Sequence, residues 1–147
     1  MDRLVRAIRS QDRCHLITIG EIPWAYPFPG AKPLFHSQAV GTGLDFVSVH
    51  FYPKKGDLEN ALRALAVYDV GKPLVVEEMF PLQCSAQELD QFIHASRHMV
   101  HGWFSFYWGK TIDEYARQNA GLAEAIMKNW LEFVRGKGPE ILGSRRP

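Results

Sequence analysis

The 147-residue chain has only two cysteines, Cys14 and Cys84, far apart and outside any CxxC pattern. That argues against a disulfide framework or a thiolate zinc site. Charge of one sign is also missing. Net charge is +1 and no basic block occurs, so neither nucleic acid nor an anionic membrane surface is an expected partner. No apolar run is long enough to cross a membrane. The N-terminus opens into Asp2-Arg3-Leu4-Val5-Arg6-Ala7-Ile8-Arg9, a charged amphipathic helix pattern and not a signal peptide. As it stands the chain reads as cytoplasmic, while a longer parent would be open to secretion. Nothing implies a nucleotide or metal cofactor.

What is present is an ordinary globular composition, 46% hydrophobic and 22% charged, with a generous 12% of aromatics. The length suits one domain with a real core. The chain is organised around Gly71-Lys72-Pro73-Leu74-Val75-Val76-Glu77-Glu78-Met79-Phe80. Consecutive apolar residues such as Leu74-Val75-Val76 read as a strand buried on both faces, which is the signature of a parallel sheet covered by helices. Two adjacent carboxylates do not belong in the middle of such a strand, because unpaired buried charge is costly. At its C-terminal end they do, since α/β enzymes place their chemistry there. A solvated strand end is the plain alternative, and for Glu77 it weighs as much as a functional role.

The other elements follow by pattern. Leu4, Val5 and Ile8 have helical spacing, and His15 to Gly20 reads as a strand ending at Glu21. Ile22 to Gly43 is a long irregular segment in which Pro23, Pro27, Pro29, Gly30 and Pro33 alternate with Trp24, Tyr26, Phe28 and Phe35. Loops of that length in compact domains are usually functional, so a ligand-facing loop is expected; aromatics packed on the rim of the sheet are the alternative. Leu44 to Tyr52 is a strand stopped by Pro53. Asp57 can cap a helix through Leu58, Ala61, Leu62, Leu65 and Tyr68, with Gly71 ending it. Ser85 and Glu88 form a capping box for a helix with Leu89, Phe92, Ile93, Met99 and Val100 as its apolar stripe. Gly102 to Gly109 is a fourth strand. A last long helix is expected to turn Tyr115, Leu122, Ala123, Ile126, Met127, Trp130, Phe133 and Val134 inward. The segment 137–147, with glycines and paired arginines, reads as a loose tail after a domain spanning 1–136. His94, His98 and His101 look like a metal set on one helical face, but that face lies opposite the apolar stripe, which makes solvent exposure the better reading.

The strands start at His15, Leu44, Pro73 and Gly102. This period of roughly 30 residues is close to what a (β/α)8 barrel of about 250 residues spends per unit. Four units amount to half a barrel. A flavodoxin-like open sheet is the rival, but it has no need of aromatic strand ends.

Four segments in order carry a resemblance. Leu4-Val5-Arg6-Ala7-Ile8-Arg9 running into Leu16-Ile17-Thr18-Ile19-Gly20 resembles helix 4 and strand 5 of the clan A glycoside hydrolases, most closely glycoside hydrolase family 5. Asp45-Phe46-Val47-Ser48-Val49-His50-Phe51-Tyr52-Pro53 resembles strand 6 with its His-x-Tyr end. Lys72 to Glu78 resembles strand 7, and Gly102 to Trp108 resembles strand 8. The resemblance implies an α/β fold of the (β/α)8 TIM-barrel type, here its second half. It also implies a retaining glycosidase acting on carbohydrate of the β-glucan or β-mannan type. Glu78 falls where that family keeps its nucleophile, a carboxylate that forms and then loses a glycosyl ester. Tyr52 would orient it, and His50 would bind a sugar hydroxyl or line the nucleophile's surroundings. Trp108 would lie beneath a pyranose ring, whose apolar face suits an indole. Trp24 and Tyr26 are candidates for further sugar subsites, and Trp103 is a core residue. Glu77 is expected to point away from Glu78, because side chains alternate along a strand.

The chain also departs from that family. A retaining glycosidase needs a second carboxylate about 5 Å from the first. In the family that glutamate follows an asparagine at the end of strand 4, and no Asn-Glu pair occurs here. Glu21 is the only other strand-end carboxylate, and the family pattern gives it no such role. Four barrel strands alone would leave open edges and an uncovered face. A homodimer or a missing N-terminal half is therefore expected to cover them. A catalytically inactive half-barrel that binds carbohydrate or serves assembly is the alternative.

Overall fold

The apolar runs pair as one parallel sheet. The computed structural model describes residues 1–37, 40–117 and 121–144, which fall into two units, 1–106 and 107–147. In the first unit β1 (Gly20–Glu21), β2 (Val47–His50), β3 (Leu74–Met79) and β4 (Val100–Ser105) lie in the order β1-β2-β3-β4, every pair parallel. Each strand thus sits beside its neighbour in sequence. A flavodoxin-like sheet would instead reverse its order at a switch point. α1 (Asp2–Gln11) leads in, and α2 (Leu58–Ala66) and α3 (Ala86–Ser96) connect the later strands. α2 and α3 pack against each other, so they cover the same face of the sheet. The protein is α/β, with a four-stranded parallel sheet and five helices among the described residues.

The helix-covered face holds the core. Val47, Val49, Phe51, Leu74, Val76, Leu89, Phe92 and Ile93 are buried there. Phe51 is stacked between Tyr26, at 5.0 Å between ring centroids, and Phe92, at 5.2 Å. Trp103 turns to this side, its indole N–H donating to Ser96 Oγ at 3.3 Å. Phe104 alternates to the other side and is 60% exposed, and Phe106 beyond it is 57% exposed. α3 begins as the sequence requires. The Glu88 amide donates to Ser85 Oγ at 3.1 Å, and the Ser85 amide donates to Glu88 at 2.9 Å. A Ser85→Ala variant is expected to lose about 1 kcal/mol of stability, read as a lower urea midpoint with an unchanged slope. Asp57 stands at the N-cap of α2, but its side chain caps no amide; it accepts from Asn60 instead.

Several expectations need correction. The strand expected over 15–20 is reduced to β1. Before it, the chain is held to the next segment by one backbone bond, from the Asp45 amide to the Ile17 carbonyl at 2.8 Å, and by side chains. The Ile17 amide donates to the Asp45 carboxylate, and Thr18 Oγ1 donates to the Phe46 carbonyl. The three histidines do not share a helical face, because α3 ends at Ser96 and His101 is on β4, where its Nδ1 accepts from the Leu74 amide at 3.3 Å. Among the described residues no three His, Cys, Asp or Glu side chains are grouped to hold a metal.

In the second unit the expected single helix is divided. α4 (Ile112–Ala116) starts with a second capping box, Thr111 with Glu114, that the pattern reading passed over. Tyr115 belongs to α4, whereas α5 (Leu122–Ser144) carries the rest. In α5 Trp130 is buried and stacks on Phe133 at 5.2 Å, but Leu122 and Ile126 are exposed. α5 also runs through the segment expected to be loose, past Gly136, Gly138 and Pro139. Lys137 helps here, its ammonium lying over the Phe133 ring and 2.8 Å from Glu140. Residues 145–147 of that expected tail lie outside the described residues.

Candidate active site

The C-terminal end of β3 departs from regular pairing. Val49 faces Val76, yet the next residue, His50, faces Glu78. On the other side Val76 faces Trp103 and Met79 faces Ser105, three steps on β3 against two on β4. One extra residue is therefore accommodated in β3 at the two glutamates, a β-bulge. Before it Leu74 and Val76 are buried, and after it Met79 is buried. The bulge thus lets Glu77 and Glu78 turn to one side, where strict alternation would have parted them. The expectation that Glu77 points away from Glu78 is overturned by this extra residue.

Both carboxylates meet the same imidazole. His50 Nε2 lies 3.0 Å from Glu77 Oε1, and His50 Nδ1 lies 3.3 Å from Glu78 Oε2. The Tyr52 hydroxyl donates to the other Glu78 oxygen. Burial, and then its bond to Glu78 and that carboxylate's charge, push the Tyr52 hydroxyl well above the ordinary tyrosine range. It therefore stays a proton donor to Glu78 throughout the neutral range.

The segment after Tyr52 is fastened on three sides. The Lys54 amide donates to the Tyr26 hydroxyl, the Lys55 amide to the Gln83 carbonyl, and the Gly56 amide to Glu88. Burial pushes the Tyr26 hydroxyl up to about 12, so it too remains protonated. Above Glu78, His50 and Tyr52 lies a cleft of about 320 Å³, walled by Ile22, Pro23 and Tyr26, with Lys54 and Gln83 also lining it. Lys54 and Gln83 drew no attention in the sequence, where nothing marked them as neighbours of Glu78.

A larger cavity, about 460 Å³, is lined by His36, Val40, Gly41, Thr42, Val70 and Lys72. It is the poorer candidate for chemistry. Val70 and Lys72 precede β3, at the end of the sheet opposite the glutamates, and no carboxylate lines it among the described residues. The Lys72 ammonium is also committed, donating to the carbonyls of Gly41 and Leu44 at 2.9 and 2.6 Å.

The remaining sequence candidates have other places. Tyr26 packs in the core against Phe51 while its edge lines the cleft. Trp24 is partly exposed and pairs with Phe28, ring centroids 5.9 Å apart. Trp108 belongs to the second unit, where its indole is 98% exposed. Glu21 is no spare catalytic acid. It is 2% exposed, and its two oxygens accept the amides of Leu34 and Phe35, anchoring the long loop. Burial raises Glu21 above the usual carboxylate range, partly offset by those two bonds.

Beside Glu21 sits buried His36, whose ring nitrogens have no hydrogen-bond partner among the described residues; Nε2 is 3.7 Å from Glu21. Burial, with the Lys72 charge adding to it, lowers His36 below the ordinary histidine value of 6.5. The folded chain therefore binds fewer protons at His36 than the unfolded chain does as pH falls through 6.5. Its contribution to stability is complete above that pH and is lost toward the lower folded value. A His36→Leu variant is expected to show a shallower loss of stability between pH 7 and pH 5, measured by urea unfolding across that range.

Set against family models, curated proteins and solved structures, the chain matches none.

Proposed function

We propose that this chain is the nucleophile-bearing half of a retaining glycoside hydrolase of the (β/α)8 type, acting on β-glucan or β-mannan. The observation that carries the reading is the convergence on Glu78. A carboxylate at the C-terminal end of a parallel strand accepts a tyrosine hydroxyl, touches an imidazole and opens into a cleft. That is what a carboxylate nucleophile needs: one oxygen held, the group aimed, and room for a ring above it. The sequential parallel order, with α2 and α3 on one face, supports the barrel part of the reading. The acid/base carboxylate would come from outside the described residues, from an N-terminal half or a second copy of the chain.

Dinitrophenyl β-glycosides test this directly, because so good a leaving group needs no general acid. The expected result is a burst of dinitrophenolate, about one per chain, followed by slow turnover as the glycosyl ester awaits water. No burst with gluco- or manno-configured substrates would refute the reading. The partly exposed Trp24–Phe28 pair favours a second reading, in which the chain binds carbohydrate without turning it over.

A further inference from the structure

A neutral imidazole has one N–H and one lone pair. His50 nevertheless presents both ring nitrogens to carboxylate oxygens, Nε2 to Glu77 and Nδ1 to Glu78. Both contacts can be hydrogen bonds only if the three groups together hold two protons. What Glu77 accepts or gives up at Nε2 therefore decides what Nδ1 offers Glu78. The two contacts are coupled through the ring.

The neighbouring strand makes room for this arrangement. A Cβ at Gly20 on β1 would lie 2.1 Å from Glu77 Oε1 and 2.8 Å from His50 Nε2, well inside contact distance. Glu77 and His50 thus meet in the space that glycine leaves open. Alternation after buried Val76 puts Glu77 on the side of His50, and the bulge in β3 turns Glu78 to that same side. Three separate features, the bulge, the missing side chain at Gly20 and the bridging ring, bring both carboxylates to His50.

We propose that Glu77 is a positioning residue: through His50 it sets the orientation and proton placement at the ring nitrogen facing Glu78. Glu77 itself touches Glu78 only by way of the ring and does not attack the sugar. This rests on the reading of Glu78 as a glycosidase nucleophile, so its test has one readout that needs no activity.

That readout is the ring ¹⁵N spectrum of ¹⁵N-histidine-labelled protein, with His50 assigned by a His50→Gln control. In Glu77→Gln the His50 ring resonances are expected to move away from their wild-type positions at the same pH. In parallel, a 2-fluoro glycoside with a dinitrophenyl leaving group gives a binding constant and a first-order labelling rate. The expected split is a labelling rate lowered about tenfold or more with binding within about twofold, since a misplaced reacting group loses rate without losing affinity. Gly20→Ala, which forces a methyl between Glu77 and His50, is expected to reproduce both effects while leaving Glu78 untouched. An unchanged His50 spectrum in Glu77→Gln overturns the proposal. So does a labelling rate within about twofold of wild type. If the wild-type chain takes no label, the glycosidase reading falls and the proposed role in catalysis falls with it. The spectrum would then report only whether the Glu77–His50 coupling exists.

Discussion

A Glu78→Gln variant is expected to lose the dinitrophenolate burst altogether, with turnover lowered by at least about 10³-fold. The amide has nearly the shape of the carboxylate, and its oxygen can still accept from the Tyr52 hydroxyl, which now donates to Glu78 Oε1. Packing around it should change little, since the side chain faces the cleft and not the buried face of the sheet. What disappears is the nucleophile. An amide cannot form the glycosyl ester, and no conservative feature of the site replaces it. The same variant separates the two functional readings. A carbohydrate-binding module would keep its affinity for sugar in Glu78→Gln, measured by calorimetry, and would show no burst in either form. Equal bursts from the wild-type and variant chains would remove Glu78 from the chemistry.

The largest effect on stability is expected at Phe51. It is fully buried at the end of β2, with Tyr26 of the long loop on one ring face and Phe92 of α3 on the other. Truncation leaves a cavity walled by two rings that cannot both follow the lost side chain. Phe51→Ala is expected to cost about 3–5 kcal/mol, from lost transfer free energy and the residual cavity. The consequence reaches the cleft, because Tyr26 accepts the Lys54 amide and lines the cleft wall. Phe51→Leu should cost much less, as it retains most of the apolar volume. Thermal or urea unfolding checks both; a Phe51→Ala protein within about 1 kcal/mol of wild type would show that this stack is not a main support of the fold.

Much of the scaffold is legible in the sequence because it rests on local patterns. Apolar runs placed β2 and β3, the Ser85–Glu88 spacing placed the start of α3, and helical periodicity placed α2. The pairing of Tyr52 with Glu78 was also expected, as what the resemblance implies. The part that stayed hidden depends on register. Strict alternation parted Glu78 from Glu77, and only pairing on both flanks of β3 reveals the extra residue that turns Glu78 to the side of Glu77 and His50. A signal was present: buried Leu74, Val76 and Met79 are spaced by two and then by three. Gly20 looked like a strand terminus, when its missing side chain is what admits Glu77 and His50. The family pattern gives Glu21 no catalytic role, but nothing in the sequence shows that two amides thirteen and fourteen residues on occupy it. Single-residue patterning did not separate α4 from α5 either, although the Thr111–Glu114 capping box announced a new helix start.

The central claim is that Glu78 is a nucleophile. It is tested most directly by treating the chain with a panel of 2-fluoro glycosides bearing dinitrophenyl leaving groups, then reading intact mass and mapping the modified peptide. The account predicts one sugar per chain, on the peptide containing Glu77 and Glu78, with fragmentation placing it on Glu78. A label on any other residue, or no label on folded protein with any sugar of the panel, would contradict it.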